Sequence, residues 1–174
     1  MHVFVLADPA RCIGCRACEI ACVAAHMKHD MGQAMEDSLP FSPRLTLIRE
    51  AGVTAPIQCR QCEDAPCAAA CPTGAVTSNG RVVTITSTLC CGCKACLAVC
   101  PVGAMQIGLV AGEHALPVAY KCDLCSGHDT PACVAVCPAD ALRVFTKENL
   151  QHVAGSRRQQ SARQLAEPGY SRET

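Results

Sequence analysis

Seventeen cysteines are the residues of this 174-residue chain whose type and spacing could do chemistry. Sixteen of them fall into four blocks of four. The first, Cys12-x2-Cys15-x2-Cys18-x3-Cys22, and the third, Cys90-x2-Cys93-x2-Cys96-x3-Cys100, have identical spacing. The second, Cys59-x2-Cys62-x4-Cys67-x3-Cys71, and the fourth, Cys122-x2-Cys125-x7-Cys133-x3-Cys137, stretch the middle gap to 4 and 7 residues. The blocks start 47, 31 and 32 residues apart, which marks an internal repeat. Cys91 alone stands outside the pattern.

Three chemistries use cysteine this densely: disulfides, zinc and iron–sulfur clusters. The odd count and the lack of an export signal argue against a disulfide framework. The opening run from His2 to Ala7 is short, has no basic segment before it, and is followed by Asp8 and Pro9. The Arg157-Arg158 pair lies near the opposite end, and no stretch of about 20 apolar residues offers a membrane span. The expected compartment is therefore the cytoplasm, where thiols stay reduced and clustered cysteines hold metal. Zinc accounts for blocks two and four, read as C-x2-C plus C-x3-C, but leaves the third cysteine of blocks one and three without a place. The third block, ending in Cys100-Pro101, matches the run C-x2-C-x2-C-x3-C-P, in which three thiolates hold one [4Fe–4S] cubane and the fourth reaches a second.

The elements around the cysteines follow from this geometry. Three thiolates on three corners of one cube require a tight loop, and Gly14 and Gly92 let the backbone approach. The final x3 step places two cysteines at i and i+4, about 6 Å apart along a helix axis. Proline after Cys71, Cys100 and Cys137 ends that helix; block one has Val23 there, leaving its helix free to continue through Ala24, Ala25 and His26. Between blocks two and three, Asn79-Gly80 separates Thr73–Val76 from the apolar run Arg81–Thr86, a hairpin signal. Strands are also expected at His2–Ala7 and Arg44–Arg49, in an outer lobe or bridging two lobes. Swapped pairs of blocks can be joined in three ways, and the hairpin favours the nested one, blocks two and three inside one and four. The fold class expected is α+β, as two pseudo-symmetric ferredoxin-like lobes with short helices, small antiparallel hairpins and long loops. The four-cluster domain would span 1–146, its outer lobe built from 12–22 and 122–137 and its inner lobe from 57–108.

Composition agrees with a core filled by something other than large side chains. There are 2 Tyr, 3 Phe and no Trp, while 15 basic residues balance 15 acidic ones. This balance offers no footprint for nucleic acid or an anionic membrane. No phosphate-binding glycine loop, dinucleotide fingerprint or Ser/His/Asp set is present, so substrate chemistry must lie elsewhere. His2, His26, His29, His114, His128 and His152 are read as solvated or ordinarily hydrogen-bonded. Cys91 is read as a small buried hydrophobe rather than a spare ligand. Arg16, Arg60, Lys94 and Lys121 are either surface cations or charges that stabilise a reduced cluster. The polar segment 147–174 is a disordered end or an arm that orders on a partner.

The blocks DPARCIGCRACEIAC, CRQCEDAPCAAACP and KCDLC before PACVAVCP resemble the four-cluster electron-transfer subunits of molybdenum- or tungsten-dependent formate dehydrogenases and related DMSO-reductase-type oxidoreductases and hydrogenases. They are most similar to the small iron–sulfur subunits of formate hydrogenlyase, over roughly Met1 to Thr146. The resemblance implies the nested pairing. One cluster would take Cys12, Cys15, Cys18 and Cys137, and the next Cys22, Cys122, Cys125 and Cys133. The inner two would take Cys59, Cys62, Cys67 and Cys100, and Cys71, Cys90, Cys93 and Cys96. It also implies larger redox partners, a formate dehydrogenase as source and a hydrogenase as sink, with a carbon-monoxide-linked or other molybdoenzyme system as variants. An accessory or maturation role is the rival of a different class.

Each oxidised cube with four thiolates adds about −2, so a fully loaded chain would carry about −8. The purified, oxygen-protected chain is expected to be brown, to absorb broadly near about 400 nm and to hold about 16 iron atoms. A folded, colourless, iron-free chain would refute this.

Overall fold

The computed structural model describes residues 3–27, 32, 36, 40–109 and 117–166. Strand β1 (Val3–Ala7) leads into helix α1 (Ala17–His26), and a hairpin of β2 (Leu45–Glu50) and β3 (Val53–Gln58) comes next. Helix α2 (Pro66–Ala69) precedes the hairpin β4 (Val76–Ser78) and β5 (Val83–Ile85). After a 3-10 turn at Ser87–Leu89 come α3 (Ala95–Ala98), β6 (Gln106–Gly108) and β7 (Val118–Tyr120). The described chain closes with α4 (Ala132–Ala135), β8 (Leu142–Thr146) and α5 (Lys147–Ala166). The fold is α+β, built of short helices and two-stranded antiparallel pairs: β1 with β8, β2 with β3, β4 with β5 and β6 with β7.

Local chemistry explains the lengths. Helix α1, with Val23 where the other blocks have proline, runs on to His26. Helices α2, α3 and α4 stop after four residues each, one residue or more before Cys71, Cys100 and Cys137. In these blocks only the third cysteine is helical. The fourth closes a tighter i→i−3 turn, with Cys71 N–H donating to Ala68 O at 3.2 Å and Cys137 N–H to Val134 O at 3.3 Å. At the β4–β5 turn, Asn79 Oδ1 accepts the N–H groups of Arg81 and Val82 at 2.9 and 2.8 Å. The Asn-Gly signal therefore produces a four-residue loop, and the second strand begins at Val83 rather than Arg81.

Packing is nested. Helix α1 lies on α4 and α2 on α3, so block one meets block four and block two meets block three. Val5, Leu45 and Leu142 form an outer apolar group with Cys18, Cys22 and Cys133. Val76, Val83, Met105 and Ala119 form an inner one with Cys67 and Cys96. Ala119 comes from β7, so the inner group reaches beyond 57–108. Cys59, Ala104 and Cys122 make the junction between them. Strand β2 serves both sides: Leu45 faces the outer group, and Thr46 Oγ1 accepts a hydrogen bond from Gln106 on β6 at 3.1 Å.

Residues 147–166 are a helix, where the sequence suggested an irregular end or an arm; residues 167–174 lie outside the described ones. Thr146 and Asn149 form its start, each side chain bonding the other's backbone N–H as in a capping box. Ala, Gln and Arg, which favour helix, recur along the rest of its length. No residue of α5 is buried. Among the described residues no helix is long and apolar enough to cross a membrane.

Val5 is 0% exposed beside both helices of the outer group. Val5→Ala should cost about 2 kcal/mol and lower the thermal midpoint of the iron-loaded chain by about 4–8 °C. The exposed Gln159→Ala on α5 should leave the midpoint within about 1 °C.

Candidate metal centres

Each block wraps its cysteines with the same backbone device. The residue before the second cysteine is left-handed in all four: Gly14 (φ +69°), Gln61 (+51°), Gly92 (+68°) and Leu124 (+61°). In blocks one and three the residue after it, Arg16 or Lys94, is also left-handed, at +63° and +65°, and begins the helix. Identical spacing thus gives near-identical dihedrals. A Cβ on Gly14 would lie 2.8 Å from the Arg49 guanidinium, which donates to Gly14 O and would have to shift, and the positive φ itself favours glycine there.

Three groups of four sulfurs each line a cavity, and further cysteines lie near Cys133. Cys12, Cys15, Cys18 and Cys137 line a cavity of about 340 Å³ together with Leu47 and Pro56. Cys59, Cys62, Cys67 and Cys100 line one of about 350 Å³. Cys71, Cys90, Cys93 and Cys96 line a third of about 300 Å³, with Cys91 at its edge. Burial raises the Cys133 thiol most, and the charges of Cys122, Cys22, Cys125 and Cys18 nearby oppose its ionisation further. Cys91 is exposed, which corrects its reading as a buried hydrophobe: its neighbour Cys90 turns inward and leaves it on the surface.

Burial and backbone donors act in opposite directions on these thiols. Burial pushes Cys18 up to about 11 and Cys122 up to about 12. Cys137 is lowered in spite of its own desolvation by N–H groups of Ala141, Leu142 and Ala139, and Cys71 is lowered chiefly by that of Val76. Short N–H···S contacts recur across the sets: Arg44 N to Cys22 and Ala141 N to Cys137 at 3.3 Å, Gln61 N to Cys59 and Ala119 N to Cys90 at 3.4 Å. Ala104 N to Cys100 (3.3 Å) and Ala132 N to Cys125 (3.4 Å) extend the pattern. Every set receives at least one such donor. Groups of soft sulfurs lining cavities, with N–H groups aimed at the sulfurs, fit an anionic iron–sulfur cluster.

Charged and amide side chains brace the sets. His26 donates from Nδ1 to Cys22 O (2.7 Å) and from Nε2 to Asp123 Oδ1 (2.9 Å), and Arg44 donates to Asp123 Oδ2 at 2.7 Å. Burial disfavours the charged ring, yet the bonds to Asp123 and Cys22 hold His26 up at about 9; Asp123, also desolvated, is drawn down to about 2 by His26 and Arg44. His26 is thus an ordinary hydrogen-bonding histidine; His128 and His152 are exposed, and His2, His29 and His114 lie outside the described residues. Arg16 and Lys94 are exposed, Arg60 is half-buried, and Lys121 is buried.

Gln61 carries a role that the cysteine pattern hides. At 2% exposure, it donates to Cys122 O (2.8 Å) and accepts from Val83 N (2.9 Å), tying block two to block four and to β5. Its only signal is a glutamine standing where blocks one and three have glycine.

The signature of the 4Fe-4S dicluster domain matches residues 51–147, more than half of the chain. The chain belongs to this 4Fe-4S dicluster family. Its relatives include the electron transport protein HydN of Escherichia coli K12, 38% identical over 93% of this chain and 98% of HydN. Hydrogenase-4 component A of the same organism is 33% identical over 97% of this chain and 95% of its own length. AegA, described as an oxidoreductase of that organism, is 42% identical over 98% of this chain, which spans only 26% of AegA. The chain is accordingly a ferredoxin-type iron–sulfur electron-transfer protein that binds [4Fe–4S] clusters.

Gln61→Leu leaves a buried N–H and a buried carbonyl without partners. It should cost about 3 kcal/mol and lower the thermal midpoint of the loaded protein by about 6–12 °C. An unchanged midpoint would show that the two bonds contribute nothing.

Proposed function

We propose that this protein relays single electrons through four [4Fe–4S] clusters between a molybdenum or tungsten formate dehydrogenase-type subunit and a hydrogenase-type partner. The observation that carries the reading is the order of the sulfur sets. Helix α1 carries Cys18 of one set and Cys22 of the next, and α4 with its following turn carries Cys133 and Cys137 in the same way. Cys67 and Cys71, and Cys96 and Cys100, link the inner two sets. The two pairs meet where Cys59 packs with Cys122. The sets therefore follow one another from exposed Cys15 at one end to exposed Cys93 at the other.

When bound, each cluster supplies one-electron transfer with little change in its thiolate shell. The chain's own part is to hold sixteen cysteines in four sets, to shield them from water, and to aim N–H donors at their sulfurs. Cys12, Cys15, Cys18 and Cys137 would hold the first cluster, and Cys22, Cys122, Cys125 and Cys133 the second. Cys59, Cys62, Cys67 and Cys100 would hold the third, and Cys71, Cys90, Cys93 and Cys96 the fourth.

Partner choice rests on likeness: HydN is named an electron transport protein and a second relative a hydrogenase component. Helix α5, none of whose residues is buried, is the arm offered to the larger subunit. Reduced thiols suit the cytoplasm. The chain carries electrons without a substrate site of its own.

Adding the loaded chain to a formate dehydrogenase–hydrogenase pair prepared without it should restore formate-dependent hydrogen evolution in proportion to the chain added. Activity that survives removal of the chain after assembly would assign it instead to maturation. Cys62→Ser should lower the iron content by about four atoms per chain, and Cys91→Ser should leave it unchanged.

A further inference from the structure

Lys121 is a buried cation without a carboxylate. It is 3% exposed, and its ammonium donates to Val83 O and, at 2.9 Å, to Cys122 O. Among the described residues no Asp or Glu lies within ion-pair reach of it. Asp123, two positions along, is taken up by Arg44 and His26. Two carbonyl dipoles do not neutralise a full charge, and an ammonium left unpaired in the interior is costly enough that a counter-ion is to be looked for.

Lys121 lines two cavities: in one, with Arg44 and Asp123, the carboxylate is already engaged by Arg44 and His26, and the other, with Cys59, Cys62, Cys67 and Cys100, is the place to look. Burial pushes the Cys67 thiol up, and among the opposing influences is the charge of Lys121. Of the other cations near the blocks, Arg60 lines the same cavity but is only half-buried, so solvent screens it in part. Arg16 and Lys94 are exposed, where solvent screens them, and Arg16 faces Glu19 at 3.7 Å. The buried charge next to Cys18 is of opposite sign: Glu19, 6% exposed, which accepts Leu47 N–H at 2.8 Å.

We propose that Lys121 is the internal counter-cation of the cluster held by Cys59, Cys62, Cys67 and Cys100, and that its fixed charge makes this interior cluster easier to reduce than its cage alone would. The inference rests on the cluster assignment given above and concerns a residue that is not a ligand. A positive charge in a low-dielectric site favours the more negative, reduced form of its neighbour. The relay is then uneven, with a resting place for the electron next to the junction of the two pairs rather than at either exposed end.

The test is a redox titration of the loaded full-length chain, monitored by electron paramagnetic resonance. Lys121→Gln keeps an N–H donor and removes the charge; Lys121→Arg keeps the charge. With full iron, Lys121→Gln should make one cluster about tenfold harder to reduce, a downward shift of about 59 mV for a one-electron couple. The couple that moves should be the one altered in Cys62→Ser, and Lys121→Arg should return it toward the wild-type value. All couples unmoved at full iron content would overturn the proposal. Where Lys121→Gln loses iron, Lys121→Met is compared: loss in both neutral variants with full loading of Lys121→Arg supports a need for charge, and loss in all three overturns it in favour of packing. A wild-type chain without iron would refute the cluster assignment itself, an outcome separate from any result on Lys121.

Discussion

A group of four thiolates around an inorganic cluster is a compact negative charge, and the interior of a small protein tolerates it only when the backbone supplies compensating dipoles at close range. The rest of this structure depends on that constraint. Each block turns through a left-handed residue just before its second cysteine, which lets the chain curl around the sulfurs. N–H groups of Arg44, Gln61, Ala104, Ala119, Ala132 and Ala141 then point at sulfur rather than at carbonyl oxygen. Short helices and two-stranded pairs are the consequence, because longer elements would draw those N–H groups into their own ladders.

The same constraint governs the apolar packing. The buried groups contain Val, Leu, Ala and one Met, with cysteine at their centres, and the stacked aromatic pair Phe4–Phe145 spans β1 and β8 outside them. Such side chains bury little area each, so the cavities are held open by covalent spacing and backbone turns rather than by bulk. Burial raises the thiols of Cys18, Cys122 and Cys133 and so opposes formation of the thiolates that metal binds. Loading with iron is thereby linked to proton release and to folding.

Charge is distributed with the same economy. Asp123 binds Arg44 and His26 in one network that also grips Cys22 and the turn at Cys125, through His26 and through the Cys125 N–H at 3.0 Å. The network stiffens the junction from the outer side. Lys121 and Gln61 do so from the inner side, both reaching Cys122 O, and both bond to the backbone of Val83. The junction where Cys59 packs with Cys122 is thus braced on both sides.

Cysteine spacing made the class of cofactor, the repeat, the positions of the short helices and the β4–β5 hairpin legible before any fold was known. These are local consequences: three sulfurs within one loop, a proline after the fourth, an Asn-Gly between apolar runs. The run-on of α1 to His26 was legible for the same reason. Which fourth sulfur faces which loop was open in the residues themselves, because Cys137 reaches the loop of Cys12, Cys15 and Cys18 from the far end of the chain, and only the packing of α1 on α4 and of α2 on α3 brings such partners together. Tertiary structure likewise decided that Lys121 is buried, that Cys91 is exposed, and that Gln61 joins two blocks, since a side chain's surroundings depend on segments its own neighbours do not specify.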